Sequence, residues 1–426
     1  MNRGCAIAIG LVVALLVVTV FCWNSAQELP VINVPTPKHP NPNAFDTFNG
    51  AAGQLLDGSK IGYAISTIHT GAKDDREYSW TEKEKLVSEN GPALTLIRQG
   101  LNEEYLNPPA RSFNALFPYY AQFRSLARTL ALDSQVKAHR GDNSGAAQAS
   151  MDAMEMGTQI PHGSVMIGGL VGIACQSIGR RQIWPYLDRL SLDQTRAAAR
   201  RIERIRNKRV PYSALLQEEK WAVQSGLLEV LRKPNSLNVL AQSVGAPAPA
   251  VTTTPFLSQF VFLVYNKRRI MSGYTNYIDA EIARSKHPYG TTVPVPVPSD
   301  PINQILVPVY DQTAFRFAKN DAQNGLLEAA VALRAYRLVH GAYPTSLDAL
   351  GSDLPHERTI DPFANGAPFR YRKTSGGYVL YSVGPDGKDD GGKAIDTGSS
   401  RASSPNERYF VLNSSAGDIV AGKNIW

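Results

Sequence analysis

Apolar residues recur with the spacing of an α-helix from residue 79 to about residue 290. Two helix starts are marked by the Ser-x-x-Glu/Gln capping pattern, Ser79 with Glu82 and Ser191 with Gln194. Gly- and Pro-rich breaks separate the helical stretches, and they follow no fixed repeat length. The pattern predicts an α-helical domain built of helix hairpins of varying length.

The pattern changes after a Pro-rich passage at residues 293–301. One long helix is predicted from about residue 312 to residue 340, and short alternating segments follow it. Residues 369–372 and 378–382 alternate as hairpin strands do, and residues 409–412 offer a third strand. This part of the chain predicts a small α+β domain with one long helix and an antiparallel sheet.

The first residues contain a long apolar run. From Cys5 to Trp23 the sequence carries no charge, and a helix of this length spans roughly 28 Å, about one hydrocarbon core. Arg3 precedes the run, which places everything after Trp23 outside the cytoplasm. A cleaved signal peptide is the alternative and leads to the same export. We expect an N-terminal transmembrane helix in a single-pass inner (cytoplasmic) membrane protein whose bulk is extracytoplasmic or periplasmic.

These patterns give a mainly α fold class and divide the chain into five segments. A chain of 426 residues is too long for one ordinary core, which also favours several domains. The segments are a membrane anchor or signal segment (1–28), a Pro-rich linker (29–42), an α-helical domain (43–290), a second Pro-rich linker (291–311) and an α+β domain (312–426).

Composition narrows the kinds of site that the chain can hold. Of its three cysteines, Cys5 and Cys22 lie in or beside the N-terminal apolar run, which leaves only Cys175 in the body. An internal disulfide and a cysteine-based metal site are therefore not expected, and Cys175 reads as a buried small hydrophobe. The net charge of +7 fits either an ordinary soluble surface or an anionic partner.

Three sequence blocks follow one another in the last part of the chain. Residues 336–344 read YRLVHGAYP, residues 361–371 read DPFANGAPFRY, and residues 378–387 read YVLYSVGPDG. In these blocks the chain resembles the globular head of the type II secretion major pseudopilin (G-type). The resemblance implies that residues 312–426 form a pseudopilin-like α+β domain. It does not extend to the helical middle region.

The start of the chain departs from that family. After Gly4 the sequence continues with Cys-Ala-Ile-Ala-Ile and lacks the Phe and the fifth-position Glu of pseudopilins. The predicted membrane segment is also far from the pseudopilin-like helix along the chain. We therefore expect the head to be a reused module that does not polymerise into a pseudopilus.

In pseudopilins, the loop after the last of these blocks binds a structural Ca²⁺ through carboxylate and carbonyl oxygens. The resemblance implies that Asp386, Asp389, Asp390 and Asp418 are the Ca²⁺ ligands here, with Asp396 as a weaker candidate. The positions of the carboxylates do not match an EF-hand. The alternative is a solvated acidic turn whose glycines supply positive φ angles.

Motifs for catalysis are missing from the sequence. None of the seven histidines pairs with another at metal-ligand spacing, and neither His-Glu-x-x-His nor Gly-x-Ser-x-Gly occurs. Arg196, Arg200 and Arg204 share one face of the most basic helix and could bind phosphate or an anionic glycan. A solvated helix face is the alternative, and Glu203 argues against nucleic acid as a partner.

Two functions follow from these patterns. The leading hypothesis is a non-enzymatic envelope protein, in which a helical domain and a pseudopilin-like head bind other envelope or secretion proteins as an interaction or scaffold component. The alternative is an exported hydrolase or ligand-binding protein with its site in the helical domain. The oligomeric state is open.

Overall fold

The protein is described here by a computed structural model, which covers residues 12, 15, 18, 19, 29–65, 77–232, 267–307, 310–398 and 407–425. We call residues 44–306 the body and residues 310–425 the head. The helices of the body are α1 (Ala44–Gly53), α2 (Gly58–Ala64), α3 (Trp80–Glu89), α4 (Gly91–Gly100), α5 (Tyr119–His139), α6 (Asn143–Gln159), α7 (Met166–Ile183), α8 (Leu192–Asn207), α9 (Tyr212–Arg232), α10 (Lys267–Arg284) and α11 (Pro301–Leu306). The head consists of α12 (Tyr310–His340), β1 (Arg370–Lys373), β2 (Tyr378–Ser382) and β3 (Ile419–Val420), with short 3₁₀ turns between them.

The helix starts that the sequence predicts are confirmed. Both predicted capping boxes form, at Ser79 with Glu82 and at Ser191 with Gln194. The Asn43 side chain accepts a hydrogen bond from the backbone N–H of Phe45 and so caps α1. The apolar pattern of the sequence also predicts a helix over residues 256–285. Its described part is α10, from Lys267 onward, and residues 256–266 lie outside the described residues.

The body is centred on α5, α6 and α7, which pack on one another. Glycines allow α6 and α7 to approach closely. A Cβ atom added at Gly172 would lie 2.5 Å from the carbonyl oxygen of Gly157 and 2.8 Å from the ring of Pro161. A Cβ at Gly157 would in turn lie 2.6 Å from the carbonyl oxygen of Gly172. The glycine at position 172 of α7 therefore serves close helix packing.

The Pro-rich segment at residues 29–42 has no regular secondary structure. Its first apolar residues, Leu29 and Ile32, pack against the core formed by α9, α10 and α11. This part of the segment therefore lies along the body.

Helix α12 connects the head to the body. One hydrophobic core contains Met154, Ile202 and Ile205 of the body together with Leu326, Val331 and Leu380 of the head. Every residue from 322 to 333 is buried, which covers more than three helical turns on all sides. Tyr310, at the start of α12, belongs to a second core with α9 and α10. Head and body thus share hydrophobic cores.

The head sheet has the strand order β1-β2-β3, and both pairs are antiparallel. Tyr371 pairs with Leu380, which confirms the predicted hairpin of the first two strands. The predicted third strand at residues 409–412 is wrong. The third strand is β3, because Ile419 and Val420 are buried against β2 and pair with Ser382 and Tyr381. Residues 407–409 form a 3₁₀ turn instead.

The predicted fold class needs one correction. Among the residues that the structure describes, no helix is both long enough and apolar enough to cross a membrane, so the predicted N-terminal transmembrane helix is not supported. Within the predicted anchor, residues 1–28, only residues 12, 15, 18 and 19 are described. The corrected class is a mainly helical fold with a small three-stranded sheet.

The close contact between α6 and α7 generates a first prediction. Replacing Gly172 with Ala inserts a methyl group against backbone atoms that cannot move aside, so we expect a loss of about 2 kcal/mol in the free energy of unfolding. The matched control is Gly50→Ala in α1, where nothing lies within 4 Å of the added Cβ. That control should gain up to about 1 kcal/mol from helix propensity. Urea unfolding of both variants measures the difference, and equal midpoints would refute the packing argument.

Candidate functional site

Helix α8 places its arginines in two sets. Its apolar residues Ala198, Ile202 and Ile205 are buried, which fixes the rotation of the helix about its axis. The Arg201 guanidinium contacts Asp152 at 2.6 Å and Glu155 at 3.0 Å, both on α6. Arg206 pairs with Glu328 of α12. These two arginines hold α8 in place.

The second set points away from the body. Arg196, Arg200 and Arg204 are exposed, and within the described part of the chain none of them has an ion-pair partner. They recur every four residues, so they lie along one face of α8 as the sequence predicts. We call these three residues the arginine row.

An open cleft of about 720 Å³ lies between α8, the end of α4 and α6. We call it the charged cleft, because its lining includes both cations and carboxylates. The lining residues are Arg98, Leu101, Asn102, Glu103, Glu104, Asp152, Glu155, Arg201, Arg204 and Lys208.

The floor of the charged cleft is an ion-pair network. Arg98 contacts Asp133 at 2.6 Å and Asp152 at 3.0 Å, and Lys137 contacts Asp133 at 2.8 Å. Asp152 also binds Arg201, so each buried aspartate has two cationic partners. Burial alone would lower the pKa of Arg98, but Asp152 and Asp133 outweigh it and raise that pKa. The buried carboxylates of the floor are therefore held in place and neutralised by the cations that they bind.

A second, more apolar depression of about 410 Å³ lies on the other side of Arg201 and Arg204. Its lining includes Met151, Leu190 and Ala197. We call it the apolar groove. The two depressions thus differ: the first is lined mostly by charged residues, and the second has an apolar floor with Gln148, Asp193 and Gln194 also in its lining.

The charged cleft suits binding by charge. The described residues that line it include no His, Ser, Thr or Cys side chain, and its ionisable groups are carboxylates, arginines and Lys208. Cys175 lies elsewhere and is buried, as predicted, and burial raises the pKa of its thiol to about 12. The thiol is therefore protonated and unreactive at neutral pH.

The predicted Ca²⁺ ligands are only partly brought together. Asp418 is fully buried and accepts hydrogen bonds from the backbone N–H groups of Gly392 (2.7 Å) and Asp390 (3.4 Å). Burial raises the pKa of Asp418, and the nearby charges of Asp389 and Asp390 raise it further, although the two N–H groups oppose this. Three carboxylates thus lie near one another at the loop.

Two of the predicted ligands have other hydrogen-bond partners within the described residues. Asp389 accepts hydrogen bonds from Tyr381 (2.8 Å) and Arg370 (3.2 Å), while Asp386 is exposed and accepts one from its own turn, at Lys388. Asp396, the weaker candidate, pairs with Arg408 instead. Across the described ranges, no group of three or more His, Cys, Asp or Glu side chains is placed to hold a metal ion. Calcium binding stays a prediction that rests on the resemblance.

Sequence reasoning missed the ion-pair network at the charged cleft. Asp133 and Asp152 lie within apolar helical stretches, and both are buried in the structure. A carboxylate on a buried helix face requires a cationic partner, which is the signal that could have pointed to Arg98 and Arg201.

The calcium prediction can be tested on the full-length protein. Because a ligand of the folded state raises its stability, Ca²⁺ should raise the melting temperature relative to EDTA by an amount that grows with its concentration. Asp418→Asn should abolish this rise, whereas Asp396→Asn, which affects an exposed pair with Arg408, should keep it. Equal melting of the unmodified protein with Ca²⁺ and with EDTA would remove the metal site.

Comparison with protein-family models, with curated proteins and with solved structures finds no match for this chain.

Proposed function

We propose that the protein is a non-enzymatic interaction or scaffold component of the cell envelope. Its pseudopilin-like head is fixed on the helical body, and the protein binds other envelope or secretion proteins. The observation that carries this proposal is the enclosure of α12. Residues 322–333 of this helix are buried, and α12 packs against β2 and a 3₁₀ turn of the head and against α7, α8 and a 3₁₀ turn of the body. This central stretch of α12 therefore has no free face for packing against further copies of the chain.

A buried polar network supports the fixed position of the head. Arg180 of α7 is 1% exposed, and it donates hydrogen bonds to the side-chain oxygens of Asn320 (2.9 Å), Asn324 (2.7 Å) and Gln323 (2.5 Å) of α12. Asn320 and Asn324 in turn donate to Gln176 of α7. Because these groups are buried, each lost partner leaves a polar atom without compensation.

An ion-pair triad supports the same arrangement. Glu328 of α12 is buried and accepts from Arg206 of α8 and from Arg358 of the head, the latter at 2.6 Å. Arg358 also donates to Asn207 at the end of α8. The triad fixes the angle between α8 and α12, so the head and the surface of α8 keep one relative position. A fixed relation between two surfaces is what a scaffold requires.

The charged cleft favours a second candidate function, a ligand-binding protein with its site in the helical body. Its volume of about 720 Å³ is sufficient for a small molecule, and cations and carboxylates converge there. Carboxylates and a lysine can also transfer protons, so an exported hydrolase with its site in the cleft belongs to this alternative. The two candidates differ in whether the bound partner is a protein or a small molecule.

The two candidates can be separated by native mass spectrometry of the full-length protein purified from its own cells under gentle conditions. We expect a defined complex with at least one other protein, which also forms when the two purified components are mixed. A chain that carries only a bound small molecule would support the ligand-binding alternative. Long homopolymers of the chain would contradict the proposal, because the central part of α12, residues 322–333, has no exposed face for pseudopilin-like assembly.

The attachment of the head generates a stability prediction. Arg180→Met removes the donors from three buried amide oxygens, so we expect a loss of about 3 to 5 kcal/mol in the free energy of unfolding. The matched control is Arg200→Met, which changes the charge equally at an exposed position and should stay within about 0.5 kcal/mol. Urea unfolding followed by circular dichroism and by fluorescence measures both. Equal midpoints for the two variants would contradict the role of the network.

A further inference from the structure

The arginine row has no structural task that the described residues reveal. Arg201 and Arg206 hold α8 to its neighbours, whereas Arg196, Arg200 and Arg204 are exposed and make no ion pair within the described part of the chain. Successive members of the row are about 6 Å apart along the helix axis. The row therefore presents three guanidinium groups, each with five N–H donors that suit a carboxylate.

The groove next to the row has an apolar floor of nearly buried side chains, and its lining also includes the polar residues Ser144, Gln148, Asp193 and Gln194. One position further round the helix, Ala197 lines the apolar groove together with Met151 and Leu190. Arg204, the last residue of the row, lines both the apolar groove and the charged cleft. A binding partner that covers the row would thus also contact apolar side chains on one flank.

From this arrangement we infer that the arginine row and the apolar groove bind an amphipathic helix of a partner protein that carries a row of acidic residues. Acidic residues at positions i, i+4 and i+8 of such a helix repeat every ~6 Å and match the spacing of the arginines. The apolar side chains next to them would lie in the apolar groove. This inference rests on the proposed function as an interaction protein and names the chemistry of its partner.

The neighbouring charges favour a protein helix over a membrane or a nucleic acid. Asp193 and Glu203 are exposed on the same helix, and Glu103, Glu104 and Glu155 line the charged cleft. A flat anionic membrane or a phosphate backbone would bring negative charge against these carboxylates. A helix with a single acidic row can bind the arginines while its own negative charges stay away from the neighbouring carboxylates of this protein.

The test uses the full-length protein and a fluorescein-labelled helical peptide of about 20 residues. The peptide carries Glu at three positions four residues apart with Leu on the adjoining face, and a second peptide has Gln in place of Glu. Fluorescence anisotropy should show binding of the Glu peptide that is roughly 10- to 100-fold tighter than that of the Gln peptide. The affinity should fall as salt rises from low to high concentration, because the charges are exposed.

Two variants that lose the same number of positive charges distinguish binding at this site from non-specific attraction between the protein and an acidic peptide. The test variant removes the arginine row, and the control removes three exposed arginines elsewhere. The test variant is Arg196→Gln, Arg200→Gln, Arg204→Gln, and the control is Arg124→Gln, Arg316→Gln, Arg372→Gln. Both should melt at a temperature close to that of the unmodified protein. The test variant should lose the preference for the Glu peptide and the control should keep it.

Several outcomes would overturn the inference. The first is equal affinity for the Glu and Gln peptides, and the second is an equal loss of affinity for the Glu peptide in both triple variants. The third is binding of an oligonucleotide, or of vesicles that contain anionic phospholipid, that is tighter than binding of the Glu peptide. A partner complex found in native mass spectrometry that survives removal of the arginine row would leave the proposed function standing and would refute this site. The two proposals can therefore fail separately.

Discussion

The burial of one cation, Arg180, between α7 and α12 is the constraint on which the arrangement of the molecule depends. Its side chain is enclosed by amide groups and, within the described residues, has no carboxylate partner. Loss of solvation lowers the pKa of Arg180 to about 9, so the group is still charged at neutral pH. A buried charge is tolerable only where polar atoms surround it, and α12 supplies three of them within two helical turns. The position of α12 on the body is therefore strongly specified.

Other interactions extend from this point through the head. Gln323 passes the network on by donating to the backbone carbonyl of Asn424. Asn424 itself donates to the carbonyls of Ile395 and Tyr409 and accepts from the N–H of Val420. The last described turn, the loop around residue 395 and strand β3 are thus joined to the interface with α7. With α12 held in this position, its apolar side chains are buried in the hydrophobic core that it shares with the body.

The parts of the fold that could be predicted from the sequence are those set by neighbouring residues. Capping at Ser79 and Ser191 involves groups three residues apart, and the hairpin of β1 and β2 involves a short connection. The third strand was misplaced because Ile419 and Val420 become a strand only through pairing with β2. The arginine row followed from helical spacing alone. The charged cleft did not, because its walls come from α4, α6 and α8, and only their packing brings Arg98, Asp152 and Arg201 together.

The separation of Arg180 from its acceptors along the chain has a consequence for synthesis. Asn320 follows Arg180 by 140 residues. At a translation rate of about 5 to 20 residues per second, roughly 7 to 30 seconds pass before these acceptors leave the ribosome. During that time the α7 surface has a hydrated guanidinium at its centre and not a continuous apolar face. The same charge that later specifies where α12 binds thus interrupts the apolar surface of α7 until the rest of the chain arrives.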